Sequence, residues 1–217
     1  MFANVRRVFD VFSSLIGLVF LSPLFLLIAA AIKIEDGGKV FYSQPRIGLG
    51  FRKFRLLKFR SMVPDAEAMF PITVADDRRI TAVGRFIRNY KFDELPQLIN
   101  VLRGDMALVG SRPELERYVE MFRLEYAELL RDRPGITDPA SIAFRDEQRE
   151  LGKGNVEEEY VSRILPEKLK LSIEYMRDRT FFSDFAILIR TVLGRSLARA
   201  GSPREESDLR KRSANRQ

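Results

Sequence analysis

The chain has 217 residues, of which 46% are hydrophobic and 31% are charged, and its formal net charge at pH 7 is +7. This length and apolar content suffice for one domain with a buried core. The sequence contains neither Cys nor His, which excludes disulfides, thiolate zinc sites and histidine bases. Catalysis would have to use carboxylates, Lys, Arg, Tyr, hydroxyl groups and a hard cation such as Mg²⁺. The positive charge favours an anionic partner: nucleic acid, lipid headgroups or a phosphorylated small molecule.

The first long apolar segment, residues 11–32, contains no charged residue. As a straight helix it would be ~33 Å long, enough to cross a hydrocarbon core of ~30 Å. Ser22-Pro23 lies at its middle, and basic residues flank both of its ends. Basic flanks favour the cytoplasmic side, and a proline weakens a regular helix, although a neighbouring serine hydroxyl can bond the freed carbonyl.

These features predict that residues 1–36 form a re-entrant helical hairpin, broken at Ser22-Pro23, that enters and leaves one leaflet of the membrane. A kinked single span is the main alternative, because the length of the apolar run also permits a full crossing. A cleaved signal peptide is a second alternative, which is disfavoured because the apolar run exceeds the usual signal core.

Residues 40–62 predict a small β-element. Val40-Phe41-Tyr42 is a short strand candidate, and residues 51–62 alternate apolar with basic side chains, as a strand with one buried and one cationic face does. The basic residues of this region are Arg46, Lys53, Arg55, Lys58 and Arg60. They either keep an exposed edge strand soluble or contact the phosphate of a headgroup or substrate.

Two adjacent carboxylates, Asp93 and Glu94, are the centre of the predicted site. Pro96 follows them and is tolerated in the first turn of a helix. We therefore predict that Asp93 caps a helix over residues 95–102, which Gly104 ends. Most aspartates in such a position only cap a helix, but the positive end of the helix dipole also favours a bound phosphate.

The rest of the chain is predicted to be mainly helical, giving an α+β fold with few strands. Helices are predicted at residues 64–69, at residues 83–90, from Pro113 onward, from Asn155 to Leu165 and from Pro166 to Arg177. A last helix is predicted to be capped by Ser183. Strands are predicted at 106–109 and 141–144, with a loop at 133–137. The apolar face of the last helix fits either the membrane interface or the core, and residues 201–217 are predicted to be a disordered basic tail.

Several runs occur in an order that resembles a known family. They include Gln44-Pro45-Arg46-Ile47-Gly48, Lys58-Phe59-Arg60-Ser61-Met62, Asp93-Glu94-Leu95-Pro96-Gln97, Gly104-Asp105-Met106 and Arg133-Pro134-Gly135-Ile136-Thr137. With Ser22-Pro23 before them and Asp184 and Thr191 after them, the series covers most of residues 6–193. It resembles the small bacterial sugar transferases called monotopic phosphoglycosyl transferases, which move a phosphosugar from a nucleotide diphosphate sugar to polyprenol phosphate.

The resemblance implies that Asp93 attacks the sugar-bearing phosphate, releases a nucleoside monophosphate, and then passes the phosphosugar to the lipid phosphate. It implies Mg²⁺ bound by Asp93 and Glu94, with deprotonation of the acceptor as a second candidate role for Glu94, although adjacency alone leaves open which of the two is the nucleophile. The substrate-binding residues that it implies are Lys58, Arg60, Arg88, Arg112, Pro113, Arg133, Gly135 and Arg145.

The partners that it implies are a nucleotide sugar (uridine being the family's commonest base), undecaprenyl phosphate and a phospholipid membrane, with no nucleic acid; a homodimer is left open. The catalytic domain, residues 37–200, would lie on the cytoplasmic face of the bacterial inner membrane.

Two departures from the family pattern bear on the site. Ser111 stands where the family usually has a proline before the arginine, which puts the rigidity of that loop in question. Residues 138–147 differ from better-known members, so the donor can differ as well.

A Mg²⁺-dependent nucleotide-sugar hydrolase and a non-catalytic basic protein tethered to the membrane are the competing hypotheses.

Overall fold

In the computed structural model, which describes residues 2–63, 77–145 and 156–193, the uncharged segment forms one continuous helix, α1 (Phe2–Asp36). The predicted separation into two helices at Ser22-Pro23 is wrong. Pro23 has no N–H to offer the carbonyl of Val19, and the Ser22 hydroxyl donates to that carbonyl at 2.8 Å instead. This bond, anticipated from the sequence, lets the helix continue past the proline.

The elements after α1 are short. The strands are β1 (Phe41–Ile47), β2 (Lys53–Phe59), β3 (Ala107–Val109) and β4 (Gly135–Thr137). The helices are α2 (Ala82–Asn89), α3 (Gln97–Arg103), α4 (Glu116–Met121), α5 (Arg123–Leu129), α6 (Pro139–Ala143), α7 (Val156–Glu159), α8 (Leu165–Asp178) and α9 (Phe181–Leu193). A 3₁₀ turn (Phe92–Glu94) precedes α3, and a π-helical turn (Tyr160–Ile164) joins α7 to α8.

The described strands form two separate pairs. β1 and β2 are an antiparallel hairpin in which Gln44 lies opposite Leu56, which confirms the predicted β-element. β3 and β4 are parallel, with Ala107 opposite Gly135, so the predicted loop at 133–137 contributes a strand. The backbones next to this pair lie so close that a Cβ on Gly135 would be 2.1 Å from the Gly110 nitrogen.

Two predicted elements are wrong in type or extent. The strand predicted at 141–144 is helix α6, because Asp138 caps it by accepting a hydrogen bond from the Ser141 N–H at 2.8 Å. The helix predicted to start at Pro113 begins at Glu116 and is interrupted at Phe122, whose φ and ψ are −119° and 44°.

Two predicted helix starts are also wrong. Pro166 lies in the first turn of α8, which continues directly from the π-helical turn. Thr180, not Ser183, caps α9, because its hydroxyl accepts from the Ser183 N–H at 3.1 Å. The helix predicted at 64–69, the cap Asn155 and the predicted tail lie outside the described residues.

The buried apolar side chains form three clusters. One joins α4, α5 and α8, a second joins α3, β3 and α9, and the third joins α1 to β2 and α2. In the third cluster Ile28 and Ile32 of α1 pack with Phe59 and Ile87. The long apolar helix is therefore part of the core that supports the rest of the chain.

Both ends of α1 contact the same body of protein. Near its start, the Arg7 guanidinium donates to the last carbonyls of α3 at 2.8 and 3.2 Å, and Arg6 pairs with Asp184 of α9. At its end, Glu35 accepts from the first turn of α2 at 3.1 Å, and Asp36 pairs with Arg60. The helix thus lies along the protein rather than projecting away from it.

The opposite face of α1 is apolar and exposed. Phe20 is 83% exposed, and Leu26 and Leu27 are also exposed. Helix α9 shows the same division, with Ile187 buried and Phe182 exposed on the other side. Among the described helices, α1 is the one that is long and apolar enough to cross a membrane. Helices α1 and α9 therefore each have one apolar face in the core and one exposed apolar face.

We expect Gly135→Ala to destabilise the fold by about 3 kcal/mol or more, because the new methyl group would overlap backbone that cannot move aside. Thermal or chemical denaturation of the purified protein measures this loss. Gly17→Ala is the matched control: its methyl would lie 3.4 Å from the Leu98 side chain, an ordinary contact, so its midpoint should not fall.

Candidate active site

The two adjacent carboxylates lie in the 3₁₀ turn between α2 and α3. Lys91 precedes this turn in the left-handed region, with φ 58° and ψ 23°, a conformation that non-glycine residues seldom adopt outside functional or tight-turn positions. Helix α3 then starts after Pro96 and ends at Gly104, whose φ is 90°. The predicted end of this helix is confirmed. The predicted cap is wrong, because Pro96 rather than Asp93 occupies the capping position.

Glu94 is held by two cations. Lys58 of β2 donates to its carboxylate at 3.0 Å, and Arg112 donates to both of its oxygens at 2.5 and 3.3 Å. Burial alone would raise the pKa of Glu94, but Arg112 and Lys58 outweigh it and hold that pKa well below its ordinary value. Glu94 is therefore an anion at neutral pH.

Asp93 has the opposite environment. It is 6% exposed, and its Oδ1 atom is buried without a hydrogen-bond partner. Burial raises the pKa of Asp93, and the neighbouring Glu94 raises it further, while Lys58, Arg88 and Lys91 offset only part of the shift. A buried carboxylate oxygen with no partner is costly to the fold, so it is a strong candidate for a group that reacts or binds a cation.

Cations surround this pair on several elements. Lys58 comes from β2, Arg88 from the last turn of α2, and Arg112 from the segment after β3. Arg88 also donates to the Ser61 hydroxyl at 3.4 Å. The predicted residues Lys58, Arg88 and Arg112 are thus brought together around the carboxylates, and the buried Pro113 follows Arg112 directly.

Other predicted substrate-binding residues have structural contacts elsewhere. Arg60 pairs with Asp36 at the end of α1, and Arg133 donates to the carbonyl of Gly104 at 2.8 Å. Gly135 allows the close approach of β4 to the chain after β3. Arg145 is the last residue described before a gap in the structure, and its role as a substrate ligand stays a prediction.

A family model described as bacterial sugar transferase matches residues 1–196 of this chain. The chain belongs to the bacterial sugar transferase family. The exopolysaccharide production protein ExoY of Rhizobium meliloti (strain 1021) is 34% identical over 210 residues, which span 89% of this chain and 86% of ExoY. The match confirms the predicted resemblance.

Two further relatives have names that specify a reaction. The UDP-glucose:undecaprenyl-phosphate glucose-1-phosphate transferase of Caulobacter vibrioides is 36% identical over 192 residues, covering 86% of this chain and 68% of that protein. The undecaprenyl-phosphate glucose phosphotransferase of Komagataeibacter xylinus is 37% identical over 195 residues, covering 86% of this chain and 35% of that protein. The present chain is accordingly a transferase, as predicted.

One residue that positions the transferase site was not assigned a role from the sequence. Asn100 is fully buried in α3; its side chain accepts from the Leu57 N–H at 2.9 Å and donates to the Arg55 carbonyl at 2.8 Å. It thereby fixes α3 against β2, the strand that presents Lys58 to Glu94. A buried amide that bonds a neighbouring strand has no local sequence pattern, so only the tertiary contact shows this function.

The candidate site could hold a hard cation in one specific way. Mg²⁺ is usually held by one or two carboxylates, with substrate phosphates and water supplying the remaining ligands. Asp93 and Glu94 provide such a pair, and the orphaned Oδ1 of Asp93 is an available oxygen ligand. Within the described residues no group of three or more His, Cys, Asp or Glu side chains could hold a metal alone, so a cation here would depend on the substrate's oxygens.

Asp93→Asn should raise thermal stability at pH 7 in Mg²⁺-free buffer. Because the pKa of Asp93 is raised in the folded state, the fold disfavours the ionised carboxylate at neutral pH; that penalty declines as the pH falls below the raised pKa and is gone below the ordinary aspartate pKa. Asparagine removes the charge, with an expected gain of about 1 kcal/mol, or roughly 2–4 °C for a chain of this size. Asp178→Asn, at the exposed end of α8, is the control. An unchanged or lower thermal midpoint for Asp93→Asn would contradict the raised pKa of Asp93.

Proposed function

We propose that this transferase moves a sugar-1-phosphate from a nucleotide diphosphate sugar to undecaprenyl phosphate through a phosphosugar ester of Asp93. The observation that carries the proposal is the buried, unpartnered oxygen of Asp93, whose cationic neighbours are Lys58, Arg88 and Lys91. A UDP sugar is the proposed donor, since the Caulobacter relative is named for UDP-glucose. The product would be the first lipid-linked sugar of an exopolysaccharide or another glycoconjugate.

In the first step, an Asp93 oxygen attacks the phosphorus that bears the sugar. A new oxygen–phosphorus bond forms, and the bond to the bridging oxygen breaks, so that the nucleoside monophosphate leaves with the electron pair. The raised pKa of Asp93 supports its role as the nucleophile, because a more basic carboxylate is the better electron-pair donor. Arg88 and Arg112 can bind the charged phosphate oxygens through planar, bidentate contacts.

In the second step, an oxygen of undecaprenyl phosphate attacks the same phosphorus and displaces the Asp93 carboxylate. This regenerates the enzyme and leaves the sugar on a lipid diphosphate. Glu94 is unsuited to deprotonate the acceptor, because its low pKa makes it a weak base. A lipid phosphate monoester has already lost most of its second proton at pH 7, so the acceptor needs no strong base.

A Mg²⁺ ion held by Asp93 and Glu94 would supply charge neutralisation between the carboxylates and the donor diphosphate. Glu94 is kept anionic and oriented for this purpose by Lys58 and Arg112. The same two cations would keep a fixed geometry for the entering phosphates, which reduces the reorganisation needed during reaction.

We propose that α1 lies within the cytoplasmic leaflet and does not cross the membrane. Support comes from the contacts at both ends of α1 with the same body of protein, which a full crossing would place on opposite sides. The exposed apolar faces of α1 and α9 would lie in lipid and interface. The site would then lie at headgroup level, where the acceptor phosphate is found, on the cytoplasmic side.

The competing hydrolase differs in one measurable respect. A hydrolase releases nucleoside monophosphate continuously in the presence of water alone, whereas the proposed transferase requires undecaprenyl phosphate for sustained release. A panel of UDP sugars with Mg²⁺, assayed with and without undecaprenyl phosphate, distinguishes the two and identifies the donor. The non-catalytic hypothesis predicts no release in either arm.

Asp93→Asn should abolish turnover, with a loss of at least about 10³-fold, because the amide cannot form the phosphosugar ester. A donor radiolabelled in its sugar should label the wild-type protein in a bond that hydroxylamine cleaves, and should leave Asp93→Asn unlabelled. Asp178→Asn is the control and should be labelled normally. Label retained on Asp93→Asn, or wild-type turnover by that variant, would refute the covalent assignment.

The topology predicts that residue 3 and the catalytic domain are on the same side of the membrane. The native chain has no cysteine, so Ala3→Cys and the exposed Leu124→Cys can be labelled separately in intact cells and in opened vesicles. Both should react with an impermeant maleimide only when the cytoplasmic side is accessible. Labelling of Ala3→Cys in intact cells, with Leu124→Cys protected, would demonstrate a full crossing instead.

A further inference from the structure

Residues 110–114, here called the Arg112 segment, are held by backbone hydrogen bonds on both sides of Arg112. On one side, the Gly110 N–H donates to the Thr137 carbonyl at 3.0 Å, and the Gly135 N–H donates to the Ser111 carbonyl at 2.9 Å. On the other side, the Ile47 N–H of β1 donates to the carbonyl of residue 114 at 3.1 Å. Arg112, which donates hydrogen bonds to Glu94, therefore lies on a short segment that is fixed at each end.

The side chain of Glu114 also fixes the Arg112 segment, in addition to these backbone hydrogen bonds. It is 8% exposed and accepts hydrogen bonds from Arg46 at 3.0 Å, from the Tyr160 hydroxyl at 2.8 Å and from the Leu115 N–H at 3.3 Å. Burial opposes its ionisation, but Arg46, Lys168 and the Tyr160 hydroxyl prevail and lower the pKa of Glu114. It is a buried anion satisfied by three donors from different parts of the chain.

Tyr160 reaches Glu114 because of an irregularity in the helix that carries it. It is the first residue of the π-helical turn, and such turns are rare and are often found at functional sites. Its ring packs against Tyr118 at a centroid distance of 5.2 Å, which fixes the hydroxyl direction. Arg46, the other strong donor, is fixed in turn by Gln44 at 2.9 Å.

We infer that Glu114, held by Tyr160 and Arg46, is a positioning residue that fixes Arg112 for the transfer reaction. Glu114 accepts hydrogen bonds from Arg46, Leu115 and Tyr160, and the nearby charge of Arg112 helps to lower its pKa, so Glu114 and Tyr160 would act through the Arg112 segment. This also explains how that segment keeps its shape with Ser111 in place of a proline. The inference rests on the proposed function for its kinetic test, but its structural part can be tested without it.

The kinetic test is a double-mutant cycle between Tyr160→Phe and Arg112→Lys, with sugar transfer to undecaprenyl phosphate as the assay. Tyr160→Phe removes one hydroxyl and keeps the ring packing; it should lower kcat about tenfold, with a smaller effect on KM for the donor, because a hydrogen bond to a buried anion is lost. In the Arg112→Lys background the same change should cost less than about twofold, because the two residues act together.

Tyr175→Phe is the matched control, since it also removes a tyrosine hydroxyl bonded to a carboxylate, that of Asp184 at 2.6 Å. Its effect should be the same in both backgrounds. Equal losses from Tyr160→Phe in both backgrounds, or no loss at all, would overturn the inference. Glu114→Gln should reproduce the coupling of Tyr160→Phe, and failure to do so would also count against it.

Amide hydrogen exchange provides the structural test and applies even if Arg112→Lys is inactive. Tyr160→Phe should increase exchange in a peptide covering residues 111–115, whereas Tyr175→Phe should leave that peptide unchanged. Unaltered exchange in Tyr160→Phe would overturn the inference. Absence of sugar transfer by the wild-type protein would instead refute the proposed function, and the exchange result would still decide whether Glu114 fixes the Arg112 segment.

Discussion

The site depends on keeping two adjacent carboxylates, the buried Asp93 and the partly buried Glu94, in different electrostatic states. Glu94 is neutralised by Lys58 and Arg112, whereas Asp93 retains an oxygen without a hydrogen-bond partner. Neighbouring acids with divergent pKa values are suited to divide the chemical tasks between them. In the proposed reaction Glu94 organises charge, and Asp93 forms and breaks the bond to phosphorus.

That electrostatic arrangement requires rigid neighbours. Lys58 is supplied by a strand that Asn100 joins to α3, and Arg112 by a segment that Glu114 holds from the other side. An ion pair can keep a precise geometry only when the backbone behind each partner is fixed. In the proposed reaction, the hydrogen bonds of these supporting residues would therefore help to keep the ion pairs in place.

The long helix α1 connects this site to the membrane. Its inner face is packed into the same core as β2 and α2, and its outer face is apolar and exposed. Because α2 leads directly into the turn that contains Asp93, the proposed depth of α1 in lipid would also set the depth of the site. The proposed placement at headgroup level follows from this shared core, without any need to extract the lipid acceptor.

The sequence alone determined that residues 11–32 are helical, that a small β-element follows them, that Asp93 and Glu94 form a carboxylate pair, and which family the chain belongs to, because each depends on local pattern or on motifs in a fixed order. It also anticipated the Ser22 hydroxyl bond, which involves residues within one turn. Tertiary structure decided which arginines reach the carboxylates: Arg112 does, while Arg60 and Arg133 bind other partners. It also decided that β4 is a strand and that Asp93 does not cap α3. Such outcomes depend on contacts between residues far apart in the chain, and local sequence patterns do not encode those distances.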